Sequence, residues 1–124
     1  MICLDTNYLI RALVPATGEA EEITRWLDHG EPIAMPAIAW YEFLCGPVSE
    51  EEIELGRAIL TAGVLPFAEA EAVEAARLFN AIKRKRPLRV DAMIAGTAIA
   101  AKARLATQNR ADFKLFVAHG LLLV

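Results

Sequence analysis

The sequence holds only two cysteines, Cys3 and Cys45. Neither a disulfide framework nor a zinc site can be built from that pair. Both lie in apolar segments and read as small core residues. Histidine is as scarce: His29 falls near the end of a predicted helix and His119 in a loop, where neither reads as a general base. No apolar run is long enough to cross a bilayer, and the N-terminus opens on a short apolar strand rather than a signal peptide. The chain therefore reads as cytoplasmic, with no membrane partner. No repeat, low-complexity tract or linker interrupts it. Nor does one sign of charge dominate: the net charge of −3 gives no sign of a generally basic, nucleic-acid-binding surface.

What is present is apolar. Of the 124 residues 56% are hydrophobic, which suits one domain over 1–124 with a well-filled core. Residues 1–4 form an apolar run ending at Asp5 and read as a buried strand. A helix over 6–13 breaks at Pro15, and Thr17 caps a second helix that turns Ile23, Trp26 and Leu27 to one face before Gly30. Residues 33–35 give a second strand, followed by Pro36 and an apolar helix through Ala39, Trp40, Phe43 and Leu44. Ser49 and Glu52 have capping-box spacing and start a helix ending near Gly63. Residues 64–67 are a third strand. A long helix from about Glu69 carries Ala75, Leu78, Phe79 and Ile82 on one stripe and must stop by Pro87. Another begins around Asp91, and strands over 104–107 and 121–124 close the chain. Strands alternating with helices in this way imply right-handed βαβ units. The expected fold is a three-layer α/β/α sandwich around a mainly parallel five-stranded sheet.

In such a sheet, ligands bind beyond the carboxyl ends of the strands. Asp5 closes the first strand there, although an acid at that place also serves as a turn residue bonding its own backbone. Glu42 stands in an otherwise almost wholly apolar helix, where a carboxylate must reach solvent, a partner or a cation. Asp91 sits at a helix start, so it is either a helix cap or a group aimed at the strand-end cleft. Asn109 and Asp112 follow the fourth strand. Several carboxylates converging without a Lys or Arg would repel one another unless they held Mg²⁺ or Mn²⁺, which prefer oxygen ligands. Phosphodiester hydrolysis is the natural use, since such ions activate water and neutralise the scissile phosphate without a histidine.

These residues resemble those of the PIN-domain ribonucleases, in particular the short VapC-type toxins of toxin–antitoxin pairs. Leu4-Asp5-Thr6-Asn7 matches the family's opening motif, Glu42 in Ala39-Trp40-Tyr41-Glu42 its second acid, and Asp91 in Asp91-Ala92-Met93-Ile94-Ala95 its third. The stretch from Thr107 through Gln108, Asn109, Arg110, Ala111 and Asp112 to Phe113 resembles the closing motif. The resemblance spans essentially the whole chain. It implies a five-stranded parallel sheet, dependence on Mg²⁺ or Mn²⁺, endonucleolytic cleavage of RNA, inhibition by a small antitoxin protein and commonly a homodimer. Some members carry the last acid where Asn109 stands and others where Asp112 stands; Asp112 is preferred here.

Asp5, Glu42, Asp91 and Asp112 are thus the expected metal ligands and catalytic residues, with Thr6 and Asn109 orienting water or phosphate. Lys83, Arg84, Lys85, Arg86 and Arg89 form a basic knot suited to RNA phosphates, or else a solvated helix end complementing the helix dipole. Trp26, Leu27, Trp40 and Phe43 make an apolar set larger than one small core obviously needs, which would suit a docked antitoxin helix. Two other classes compete. A receiver-type phosphoacceptor needs neighbouring acids after the first strand and a lysine after the last, and Thr6 and Asn7 follow Asp5 instead. A catalytically silent PIN-like module that binds RNA or protein keeps the same motifs without turnover.

Overall fold

The structure, a computed structural model, describes residues 1–124. Five strands carry the fold: β1 (Ile2–Leu4), β2 (Ile33–Pro36), β3 (Gly63–Leu65), β4 (Arg104–Ala106) and β5 (Leu122–Leu123). Every pairing is parallel, and the strand order is β3-β2-β1-β4-β5. Every residue of β1 and β2 is buried. Successive strand side chains point to opposite faces, so a central parallel strand covered on both sides must be apolar throughout. Seven helices supply that cover: α1 (Thr6–Ala12), α2 (Gly18–Asp28), α3 (Ala37–Cys45), α4 (Glu50–Ile59), α5 (Glu69–Ala81), α6 (Arg89–Ala100) and α7 (Arg110–Val117). The result is an α/β/α sandwich. None of these helices is long and apolar enough to cross a membrane.

Strand order reverses beside β1. The chain steps outward from β1 to β2 to β3, then returns to place β4 on the other flank of β1. The crevice beyond the carboxyl ends of β1 and β4 is therefore the topological switch point, where open α/β sheets place their ligands.

Helix starts follow the sequence closely. The Thr17 hydroxyl accepts from the Ala20 N–H, and Ser49 and Glu52 close a reciprocal capping box at 3.1 Å each way. Helix ends are less legible. α2 closes as predicted at Gly30 (φ 69°), with the Gly30 and Glu31 N–H groups bonding back to Leu27 and Trp26. The same closure ends α5 at Lys83 (φ 61°) and α6 at Lys102 (φ 55°), where no glycine marks it. α5 accordingly stops at Ala81, well short of Pro87, and a 3-10 turn over Arg86–Leu88 leads into α6. α4 ends at Ile59 rather than near Gly63, which instead opens β3 at φ 78°.

One cluster of 27 buried residues forms the core. Trp40 and Phe43 belong to it, stacked with centroids 5.2 Å apart, so they are not available to a partner. Leu27, by contrast, is exposed. Cys3 is buried as expected, whereas Cys45 is exposed: it closes α3 on the face away from Ala39 and Phe43.

A close approach of α6 to α5 depends on Gly96 of α6. A methyl group placed there would lie 2.6 Å from the Ala75 nitrogen and 2.8 Å from its Cα, both backbone atoms of α5. Because backbone cannot swing aside, Gly96→Ala should destabilise the protein by about 1–3 kcal/mol through forced separation of the helices. Gly18, the first residue of α2, has nothing within 4 Å, so Gly18→Ala should be neutral or stabilising. Urea unfolding of both variants checks the pair; equal midpoints would mean that α5 and α6 are not locked at this crossing.

Candidate functional site

Asp5 stands at the switch point, only 7% exposed. Its backbone N–H extends the sheet by bonding to Ala106 at 3.0 Å, which fixes the side chain at the carboxyl edge. One carboxylate oxygen accepts from the Thr6 N–H at 2.8 Å, capping α1. The other accepts from the Thr107 hydroxyl at 2.7 Å. Asp5 thus bonds the local backbone as a turn residue does and also stands at the carboxyl edge of the sheet.

Each remaining acid is placed by a helix start or a helix face. Glu42 lies on the exposed side of α3, which is how an apolar helix tolerates it, and its Oε1 accepts from the Thr6 hydroxyl at 2.9 Å. Asp112 is the third residue of α7, half-buried, and accepts from the Asn109 amide at 2.9 Å. Asn109 in turn gives its backbone N–H to the Thr107 hydroxyl at 2.9 Å. Asp91 is the third residue of α6, which begins at Arg89 and not at Asp91 itself; Leu88 holds the cap position without a side-chain bond. Asp91 is therefore not the N-cap, but it does stand in the first turn, where a carboxylate also complements the helix dipole.

Thr6, Thr107 and Asn109 link three of the acids through neutral donors. Thr107 is the residue the sequence reading undervalued. It was one polar group in a closing loop, yet it is buried and holds Asp5 while receiving Asn109. Its position directly after Leu105 and Ala106, at the end of an apolar strand, was the available signal.

No lysine or arginine forms an ion pair with any of the four acids; the ion pairs of the protein involve Glu31, Glu19, Glu22 and Glu74. The consequence is visible in Asp91, whose carboxyl is pushed up to about 6 by burial and then by the charges of Asp5, Asp112 and Glu42. Burial also raises Asp5, against the opposing pull of its bonds from Thr107 and Thr6. In this conformation no three such side chains are drawn together tightly enough to hold a metal ion. The donor set nevertheless fits a hard dication. It is all oxygen and carries no competing cation, and neutral hydrogen bonds leave oxygens of Glu42, Asp91 and Asp112 uncommitted.

The basic knot is not part of this cluster. Lys83, Arg84, Lys85 and Arg86 are exposed in the turn after α5, where Lys83 and Arg84 both have positive φ and Arg84 bonds the Asn80 side chain. Arg89 lies over the Phe79 ring, 5.6 Å from its centroid, at the rim of an apolar cleft of about 210 Å³ between α5 and α6. Phe67, Ala76, Phe79 and Met93 are among the residues lining that cleft.

Comparison with known proteins agrees with the fold. A family model described as the PIN domain matches residues 2–116. Among solved structures, FitAcB from Neisseria gonorrhoeae is similar at TM-score 0.71 and 24% identity, over 100% of this chain and 97% of that one. VapBC2 from Rickettsia felis, bound to a DNA fragment from its promoter, aligns at TM-score 0.74 and 22% identity over 100% and 98%. A toxin–antitoxin complex from Klebsiella pneumoniae aligns at TM-score 0.70 and 25% identity over 91% and 90%. No curated protein matches the chain.

The raised Asp91 carboxyl makes stability depend on pH with a definite sign. The folded state binds this proton more tightly than the unfolded chain does. Its stabilising contribution is therefore complete below the ordinary value of 3.8 and is lost as pH rises through about 6. Asp91→Asn removes the titration, so its stability should fall less between pH 4 and 7 than the wild type's. Urea midpoints across that range decide it; parallel curves for the two proteins would mean that Asp91 is not held among like charges.

Proposed function

Because the chain belongs to the PIN-domain family, a family of nucleases, we propose that it is a metal-dependent endoribonuclease and the toxin of a toxin–antitoxin pair. The observation that carries this reading is the set of four acids at one sheet edge with no paired cation, where burial and then the charges of the other three raise the Asp91 carboxyl. PIN nucleases generally use a divalent metal, and the oxygen-only donor set favours Mg²⁺ or Mn²⁺.

Asp5, Glu42, Asp91 and Asp112 would hold the metal, which when bound supplies charge neutralisation at the scissile phosphate and activation of water. The chain's own residues do the rest. Thr107 and the Thr6 N–H orient Asp5 and oppose the rise that burial imposes on its carboxyl. The Thr6 hydroxyl holds Glu42, and the Asn109 amide holds Asp112. Asp91, whose carboxyl is pushed up to about 6 by burial and then by its acidic neighbours, would give up its proton on joining the metal. The cations from Lys83 to Arg86, unpaired with any acid, supply a surface for RNA phosphates.

An antitoxin partner is supported by the solved relatives, which are toxin–antitoxin complexes. The apolar cleft at Phe67, Phe79 and Met93 is the surface offered to an apolar side chain of that partner. A homodimer is part of the same reading and is checked by sedimentation of the isolated chain.

Incubation of single-stranded RNA with the purified chain tests the activity. Cleavage should require Mn²⁺ or Mg²⁺, cease with chelator, and drop at least a hundredfold in Asp5→Asn, because an amide is a poorer ligand for a hard dication. In the same assay, neutralising Lys83, Arg84 and Lys85 should flatten the dependence of RNA binding on salt. Full activity of Asp5→Asn, free of contaminating nuclease, would overturn the assignment. RNA binding without cleavage by the wild type would replace it with the silent module.

A further inference from the structure

On the β4 side of the acid cluster the surface opens into a second pocket, of about 230 Å³. Tyr8 from α1, Glu22 from α2, Thr107 and Gln108 after β4, Arg110 at the start of α7, and Val124 line it. Thr107 is a shared wall: the residue that lines this pocket also gives its hydroxyl to Asp5. An occupant would lie one side chain away from the acids.

The chemistry of the lining is unlike that of the α5–α6 cleft, where seven of the eight residues are hydrophobic. Here a carboxylate, a carboxamide, a guanidinium and a hydroxyl converge. The volume equals roughly eight waters at about 30 Å³ each, which suits a flat heteroaromatic ring. Unstacked RNA bases are read on their edges by such mixed donors and acceptors.

Two details sharpen this. Glu22 and Arg110 do not pair with each other: the cation beside Glu22 is Arg25, at 3.5 Å, and Arg110 donates to the Val124 carbonyl at 2.8 Å. Both keep hydrogen-bonding capacity for a ligand. Moreover, the Tyr8 hydroxyl is buried and faces Glu22 without closing a well-formed hydrogen bond to it. Glu22 is its charged neighbour and helps burial to raise the phenol.

The geometry points to a base-recognition subsite that holds a guanine of single-stranded RNA beside the phosphate at the acid cluster. The two adjacent N–H donors on the Watson–Crick edge of guanine suit a carboxylate such as Glu22, and O6 with N7 suits an arginine such as Arg110. Adenine, cytosine and uracil offer no such donor pair. Tyr8 is a positioning residue for Glu22. The inference rests on the nuclease reading of the acid cluster, and its test separates the two.

5′-GMP, AMP, CMP and UMP are titrated into the chain in chelator, followed by calorimetry. The cuts made in mixed-sequence RNA with Mn²⁺ are then mapped for wild type, Glu22→Gln and Arg110→Ala. GMP should bind about tenfold tighter than the other three, and Glu22→Gln should erase that margin. Cuts should keep a fixed offset from guanine in the wild type and scatter in both variants. Tyr8→Phe should shrink the GMP margin without lowering stability. Equal binding of the four nucleotides, or a GMP margin indifferent to Glu22→Gln, overturns the subsite. Metal-dependent cleavage with no guanine dependence overturns the subsite alone. Glu22-dependent GMP selectivity in a chain that cuts no RNA overturns the nuclease reading and leaves the pocket standing.

Discussion

Like charges held close together without a cation are the constraint on which the working end of this molecule depends. Asp5, Glu42, Asp91 and Asp112 come from four separate segments, yet they are near enough for Asp91 to feel the other three. Nothing in a folding chain favours such an arrangement for its own sake, since each ionised neighbour opposes the next. The parallel sheet makes it possible. Its reversal of strand order beside β1 opens a crevice between β1 and β4, and the segments leaving those strands deliver Asp5, Thr107 and Asp112 to it.

Neutral donors do the work that ion pairs do elsewhere on the surface. Thr6, Thr107 and Asn109 hold three of the acids with hydroxyl and amide hydrogens, which orient a carboxylate without cancelling its charge. An arginine in their place would lower the repulsion and also occupy the oxygens a dication needs. Arg11 and Arg25 pair instead with Glu19 and Glu22, and Lys83 to Arg86 stand exposed in the turn after α5. Rigidity behind the site comes from the core. Ile2, Cys3 and Leu4 are completely buried, and α6, which carries Asp91, is pressed onto α5 at Gly96.

Much of this was legible in the sequence because it rests on local chemistry. An apolar triplet ending in an acid gave β1 and Asp5; Thr17, and Ser49 with Glu52, gave two helix starts; Gly30 gave one helix end. What escaped the reading depends on tertiary context. Lys83 and Lys102 end helices in a left-handed conformation that usually signals itself by glycine. Cys45 and Phe43 lie in the same apolar run, and only the packing of α3 decides that one is exposed and the other buried. Asp91 looked like a cap because the helix start was placed two residues late. Thr107 looked like loop chemistry because its partner, Asp5, lies at the other end of the chain.

The central claim is that the four acids form one site completed by a divalent ion. Thermal unfolding near neutral pH, with chelator and then with millimolar Mn²⁺, addresses it without any substrate. Binding to the folded state alone should raise stability by about 2.7 kcal/mol at a hundredfold excess over the dissociation constant. The wild type should therefore gain a higher midpoint with Mn²⁺, and Asp91→Asn should gain much less while matching or exceeding the wild type in chelator. A wild-type midpoint indifferent to the metal, or an equal gain in Asp91→Asn, would contradict the account.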